Sequence, residues 1–210
     1  MFSLSERKAR ILDFDCECRP MAWYGGDFVT KQPTAIAWKW IDERGGPISE
    51  TQVAYIGKSH EPDNLDDEES EMIEEFRAYY DRADIVTGHF IRGFDLTLLD
   101  GACIRLDLPL LGEKLTSDTK LDFAKAHGIS KSQENLGALF ELDHPKIPMN
   151  TSKWFESNKL TTQGIAWTIE RVTGDVAQHE DLRNEMLDRG LLKAPKVWSP
   201  ASSGIGQYTA

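Results

Sequence analysis

Two acidic residues near the start of the chain, Asp15 and Glu17, flank a single cysteine in Phe14-Asp15-Cys16-Glu17. In an extended segment, residues two apart leave the same face. Two carboxylates so placed repel each other unless a positive charge lies between them. A hard divalent cation such as Mg²⁺ or Mn²⁺ meets that need, since it prefers oxygen ligands. Asp13 lies on the same face and is the nearest rival for membership of such a group. An edge strand with its acidic face in water would have the same spacing, so this segment alone leaves both readings open.

Two further acids stand in settings that suit chemistry. Asp95 closes Gly88-His89-Phe90-Ile91-Arg92-Gly93-Phe94-Asp95, directly after a short apolar run. A glycine-bearing turn that leads from a strand into a helix is a common place for a functional site, although an aspartate there also suits a helix cap. Asp175, in Gly174-Asp175-Val176, has Val172 and Val176 as apolar neighbours on a long helical stretch. They should face a sheet and leave Asp175 at the buried boundary, with a solvated aspartate as the alternative. His179 follows one turn later on the same helical face. It is a candidate base, with a surface histidine as the other reading.

These positions need elements to hold them. Residues 10–17, 34–41 and 52–56 alternate as strands, with Arg44-Gly45-Gly46-Pro47 as a turn between the last two. Pro20 should break the first strand, and residues 21–31, with Gly25-Gly26, should form a loop. The short connections predict a three-stranded antiparallel meander. After Pro62 the period changes: residues 66–81 place Met72, Ile73, Phe76 and Tyr80 on one helical face, behind an acidic start. Residues 83–87 and 115–118 read as further strands, and residues 94–106, 121–126, 133–142 and 162–189 as helices, the last stopped by Gly190. Residues 144–149 hold two prolines and read as a loop. Together these predict an α/β domain over residues 1–193, a meander plus parallel strands flanked by helices. Residues 194–210, rich in Pro, Ser and Gly, form a tail that is mobile or docks as an extended strip.

Composition narrows the function classes. The chain has 210 residues, 40% hydrophobic and 28% charged, which suits one globular domain. No apolar run reaches the roughly 18–20 residues of a membrane span, and the first residues lack the apolar stretch of a signal peptide. Three cysteines, Cys16, Cys18 and Cys103, do not make a disulfide framework, so a cytoplasmic location is expected. A net charge of −11 argues against broad electrostatic binding to a nucleic-acid backbone. It leaves room for an enzyme that holds a few terminal nucleotides through metal ions.

Jointly the three acidic segments resemble the DEDD, or DnaQ-like, family of 3′–5′ exonucleases. Asp15-Cys16-Glu17 resembles the family's first motif. Gly88 to Asp95 resembles its second, with Phe90 where Asn is usual, and Asp175-Val176 the core of its third. Lys131-Ser132-Gln133-Glu134-Asn135-Leu136 and Pro145-Lys146 look like linker segments of the polymerase-associated branch. The resemblance implies a ribonuclease H-like fold. It implies metal binding and catalysis by Asp15, Glu17, Asp95 and Asp175 with two Mg²⁺ or Mn²⁺ ions, and substrate contacts from His89 and Phe90. It also implies release of nucleoside monophosphates from a nucleic-acid 3′ end, DNA favoured over RNA, in replication or repair, with a separate polymerase or replication protein as a partner. The third motif departs from the pattern. The family places a His five residues, or a Tyr four residues, before its last Asp, and this chain has Glu170 and Arg171 there. The general base is therefore open. An exoribonuclease on the same fold, or a degenerate nuclease domain kept for binding or recruitment, are the alternative readings.

Overall fold

The computed structural model describes residues 8–22, 29–59, 61–124 and 128–200. β1 (Ile11–Ala22) and β2 (Val29–Ile41) form a long antiparallel pair, and β3 (Gln52–Tyr55) adds to the outer side of β2. β4 (Ile85–Gly88) runs parallel to β1 on its other flank, β5 (Lys114–Asp118) parallel to β4, and β6 (Lys196–Trp198) antiparallel to β5. The order is β3-β2-β1-β4-β5-β6. This mixed six-stranded sheet flanked by helices is the ribonuclease H-like α/β architecture.

Strand alternation sorts β1 onto two different faces. Leu12, Phe14 and Cys16 point into the main core with Ile36 and Trp38 of β2. α1 (Leu65–Tyr80) covers that face with Met72, Ile73, Phe76 and Tyr80, and α2 (Asp95–Arg105) joins it with Leu96, Leu99 and Ala102. Fully burying side chains of this size stabilises by about 1.5–3 kcal/mol each. The odd residues Asp13, Asp15 and Glu17 point to the opposite face. There Ala35 and Ala37 of β2, in register with Glu17 and Asp15, pack against Val172 and Val176 of α5 (Thr162–Asp188). The small alanines let α5 approach the sheet closely, and α5 thereby covers the acidic side of β1.

Several elements differ from the sequence reading. β1 does not stop at Pro20 but runs through it. Beyond Asp13 its β4 flank is unpaired, and a proline is tolerated where one side of a strand is open. The expected loop over residues 21–31 is shortened accordingly, and its residues 23–28 lie outside the described residues. Residues 121–124 form turns and an isolated bridge between Phe123 and Leu192, not the start of a helix. Asp118 Oδ1 accepts from the N–H groups of Lys120 and Leu121, and Asp122 Oδ2 from that of Asp118. Such local side-chain bonds compete with helix formation. α3 (Gln133–Leu139) ends before Glu141, whose φ is 53°. An unforeseen α4 (Thr151–Asn158) precedes α5. The C-terminal segment supplies β6, and residues 201–210 lie outside the described residues.

Candidate metal centre

The acidic side of β1 meets α5 in matched rungs. Two strand residues advance about 6.6–6.8 Å and four helix residues about 6 Å, so a helix crossing antiparallel can pair i+4 steps with i+2 steps. Arg171 Nε lies 3.4 Å from Glu17 Oε1, and His179 Nδ1 lies 2.7 Å from Asp13 Oδ1. Beside them Lys39 of β2 pairs with Glu180. The middle rung is different. Asp175 stands opposite Asp15 with like charge, and carboxylate oxygens of Asp15, Glu17 and Asp175 all lie within 4.8 Å of one another.

Asp95 joins from the first turn of α2. Its Oδ1 accepts the Cys16 N–H at 3.0 Å, which fixes the carboxylate between the strand positions of Asp15 and Glu17. The electrostatics follow from burial and crowding. Burial raises the Asp15 carboxyl well above its usual range, and Asp95, Asp175 and Glu17 raise it further. Burial and then Asp175 push Glu17 up to about 7 against the opposing pull of Arg171 and Lys146. Asp95 also rises to about 7, mainly through burial, with the backbone N–H groups it accepts pulling down. Burial raises Asp175 against Lys146 and Arg171. Asp175 is only 4% exposed, and its Oδ1 has no hydrogen-bond partner. Buried carboxylate oxygens without donors are costly, and an all-oxygen set of this kind fits a hard divalent cation.

A concavity of about 310 Å³ opens over these acids. Phe90, Phe94 and Trp154 line it, as do Lys120, Lys146 and Arg171. Phe90 has φ 72°, a region costly for a residue with a Cβ. Asp118 holds it there by accepting the N–H groups of Phe90 and Arg92, each at 3.1 Å. A Cβ on Gly93 would lie 2.3 Å from the Phe90 ring, so only glycine lets that ring lie where it does. Lys120 Nζ sits 3.8 Å from the ring centroid. Gly174 performs a similar service for the loop before α4. A Cβ there would meet Ile147 at 2.4 Å, and the neighbouring Lys146 Nζ reaches to 3.5 Å from Asp175 Oδ2.

Among the sequence-predicted positions, Asp15, Glu17, Asp95 and Asp175 are brought together. Phe90 and His89 line the same concavity. Both His89 ring nitrogens are engaged, with Thr119 Oγ1 and the Lys131 carbonyl, each at 2.9 Å. Burial, then His179, drives the His89 pKa down to about 3, so the ring is neutral and ties two loops together. His179 is not among the residues lining the concavity. It is 2% exposed and directed at Asp13, neither a surface histidine nor one placed beside the acids. Asp13 is thereby drawn out of the cluster. Glu170, in the family's His position, is exposed. Sequence reasoning passed over Lys120 and Trp154. A signal for Trp154 was present: Asn150 caps α4 by accepting the Lys153 N–H, and an Asn-Thr-Ser start is a helix N-terminus pattern.

Fold and site together define an α/β domain of ribonuclease H-like architecture with a buried acidic cluster suited to a metal ion. No protein-family model and no curated protein sequence matches the chain. Among solved structures, it is similar to the family B DNA polymerase from the hyperthermophilic archaeon Pyrobaculum calidifontis, with a TM-score of 0.61 and 16% sequence identity over 86% of this chain. The match spans 25% of the polymerase chain. At that identity the likeness establishes the fold.

Proposed function

We propose that this chain is a metal-dependent 3′–5′ exonuclease that hydrolyses terminal phosphodiester bonds and releases nucleoside monophosphates, with DNA favoured over RNA. The observation that carries this reading is the like-charge rung: Asp15, Glu17 and Asp175 crowded together, one Asp175 oxygen buried and unpartnered, with Asp95 tied beside them. The sequence resemblance to polymerase-associated exonucleases and the structural likeness to part of a DNA polymerase point the same way. A separate polymerase or replication protein is the proposed partner. The three unpaired cysteines suit a reducing, cytoplasmic setting.

Asp15, Glu17, Asp95 and Asp175 would hold Mg²⁺ or Mn²⁺. Bound divalent cations would lower the pKa of a water and stabilise the attacking and leaving oxygens. The chain's own groups do the rest. Phe90 and Trp154 offer faces on which a terminal base stacks, and Lys120 stands at the rim as a phosphate contact. No His or Tyr occupies the usual base position, and a positioned base typically adds about 10²–10⁴-fold. The expected activity is therefore weak, rises with pH and is better supported by Mn²⁺ than by Mg²⁺.

One observation favours a second reading. Arg171 stands where the family has Tyr and makes ion pairs within the cluster, as in a domain that has given up turnover and serves for recruitment. Incubation of 3′-labelled and 5′-labelled DNA and RNA strands with Mn²⁺ decides between them. Mononucleotides released first from the DNA 3′ end support the proposal. Faster release from RNA favours the exoribonuclease, and intact strands that stay bound favour the recruitment module.

A further inference from the structure

The acidic cluster already contains fixed positive charge. Arg171 Nε lies 3.1 Å from Asp175 Oδ2 and 3.4 Å from Glu17 Oε1, and Lys146 Nζ lies 3.5 Å from the same Asp175 oxygen. Arg171 is only 9% exposed, and its far end donates to the Ile147 carbonyl. The guanidinium is thus held from two sides, and it does not lose its proton in proteins. It occupies lone pairs of Glu17 and Asp175 that a second cation would need. By contrast, Asp175 Oδ1 is buried without a hydrogen-bond partner, on a carboxylate that groups with those of Asp15 and Glu17.

Resting on the metal-centre reading, we infer that Arg171 stands in for one of the family's two metal ions, so that the resting site binds a single divalent cation. Charge balance supports this. Four carboxylates face two resident cations, Arg171 and Lys146, which leaves two negative charges for one Mg²⁺ or Mn²⁺. A second ion would place excess positive charge beside a fixed guanidinium, against Coulomb repulsion in a poorly solvated site. Arg171 is then a positioning residue that sets metal number and bridges Glu17 and Asp175.

The test counts Mn²⁺ ions bound to the full chain at saturation, from the electron paramagnetic resonance signal of free Mn²⁺, without any substrate. Wild type should bind one ion, Arg171→Lys one, and Arg171→Gln two, with circular dichroism confirming that each variant is folded. Two ions in the wild type would overturn the inference even if Arg171→Gln fails to fold. One ion in a folded Arg171→Gln would also overturn it while leaving the metal centre standing. No bound ion in the wild type would overturn both this inference and the reading beneath it.

Discussion

Two buried groups of carboxylates lie within one domain, and they are built in opposite ways. Asp118 and Asp122 are surrounded by donors. Asp118 accepts from the N–H groups of Phe90, Arg92, Lys120 and Leu121, while Asp122 receives a two-pronged contact from Arg92 and an ion pair from Lys196. Burial pulls the Asp122 carboxyl upward, but Arg92, the Asp118 N–H and Lys196 bring it below its usual value. Asp15, Glu17, Asp95 and Asp175 have few donors and crowd one another, and all four are raised. Burial is common to both groups, so burial alone does not mark a site. What differs is how fully the protein itself supplies the positive partners: among the described residues, four carboxylates share only Arg171 and Lys146. The first group fixes the loop that carries Phe90, and the second leaves excess negative charge for something brought from outside.

The sharpest way to break this contrast is to neutralise one acid of the unsatisfied group. Asp15→Asn or Asp95→Asn should lower Mn²⁺-dependent nuclease activity by more than the about 100-fold typical of losing an outer partner of a metal ligand. Removing a repelling charge should leave the metal-free melting temperature equal or higher. Unchanged turnover in both variants would dismiss the catalytic assignment. The same change in the satisfied group should do the reverse: Asp122→Asn should cost about 3 kcal/mol, as when a buried ion pair is broken. In a chain of this size that is about 6–12 °C by thermal melting, and a loss below about 2 °C would show the network to be dispensable.

The two groups should also respond oppositely to pH. Raised carboxyls bind protons in the folded state that the unfolded chain has already released. Metal-free stability should therefore fall as pH rises from about 4, near the ordinary values for Asp and Glu, through the value of about 7 for Glu17 and Asp95. Saturating Mn²⁺ should restore it at pH 8, and Mn²⁺ affinity should rise over the same interval as protons leave the ligands. The lowered Asp122 acts with the other sign: its contribution is present above the ordinary Asp value and is lost as pH falls toward its depressed pKa. Melting curves of wild type, Asp15→Asn and Asp122→Asn across pH separate the two contributions, and a metal-free profile flat between pH 5 and 8 would argue against the first.

The smallest expected effect lies at the junction of the two groups. Phe90→Gly should relieve about 1 kcal/mol of left-handed backbone strain and give up the ring's contacts with Lys120 and Gly93, leaving the melting temperature nearly unchanged. If the ring stacks on a terminal base, KM should rise at least about fivefold. An unchanged KM would make Phe90 a packing residue only.

Much of this domain was determined by its sequence. Period-two and helical patterns place the meander, α1, β4, β5 and the long α5, because hydrophobic periodicity is a local property of the chain. The acids were legible as a set because a strand brings Asp15 and Glu17 to one face and the segment from Gly88 points Asp95 toward them. What the sequence left open depends on partners far along the chain. Asp13 and Asp15 look alike on β1, yet α5 gives one His179 and the other Asp175. Arg171 looks like a missing tyrosine until its contacts with Glu17 and Asp175 are seen. Over residues 121–124 the miss was instead local: the expected helix gave way to side-chain bonds from Asp118 and Asp122 that apolar periodicity does not record. Periodicity assigns a residue to a face. Only the register between β1 and α5, set by Ala35 and Ala37 against Val172 and Val176, decides which charge each acid meets.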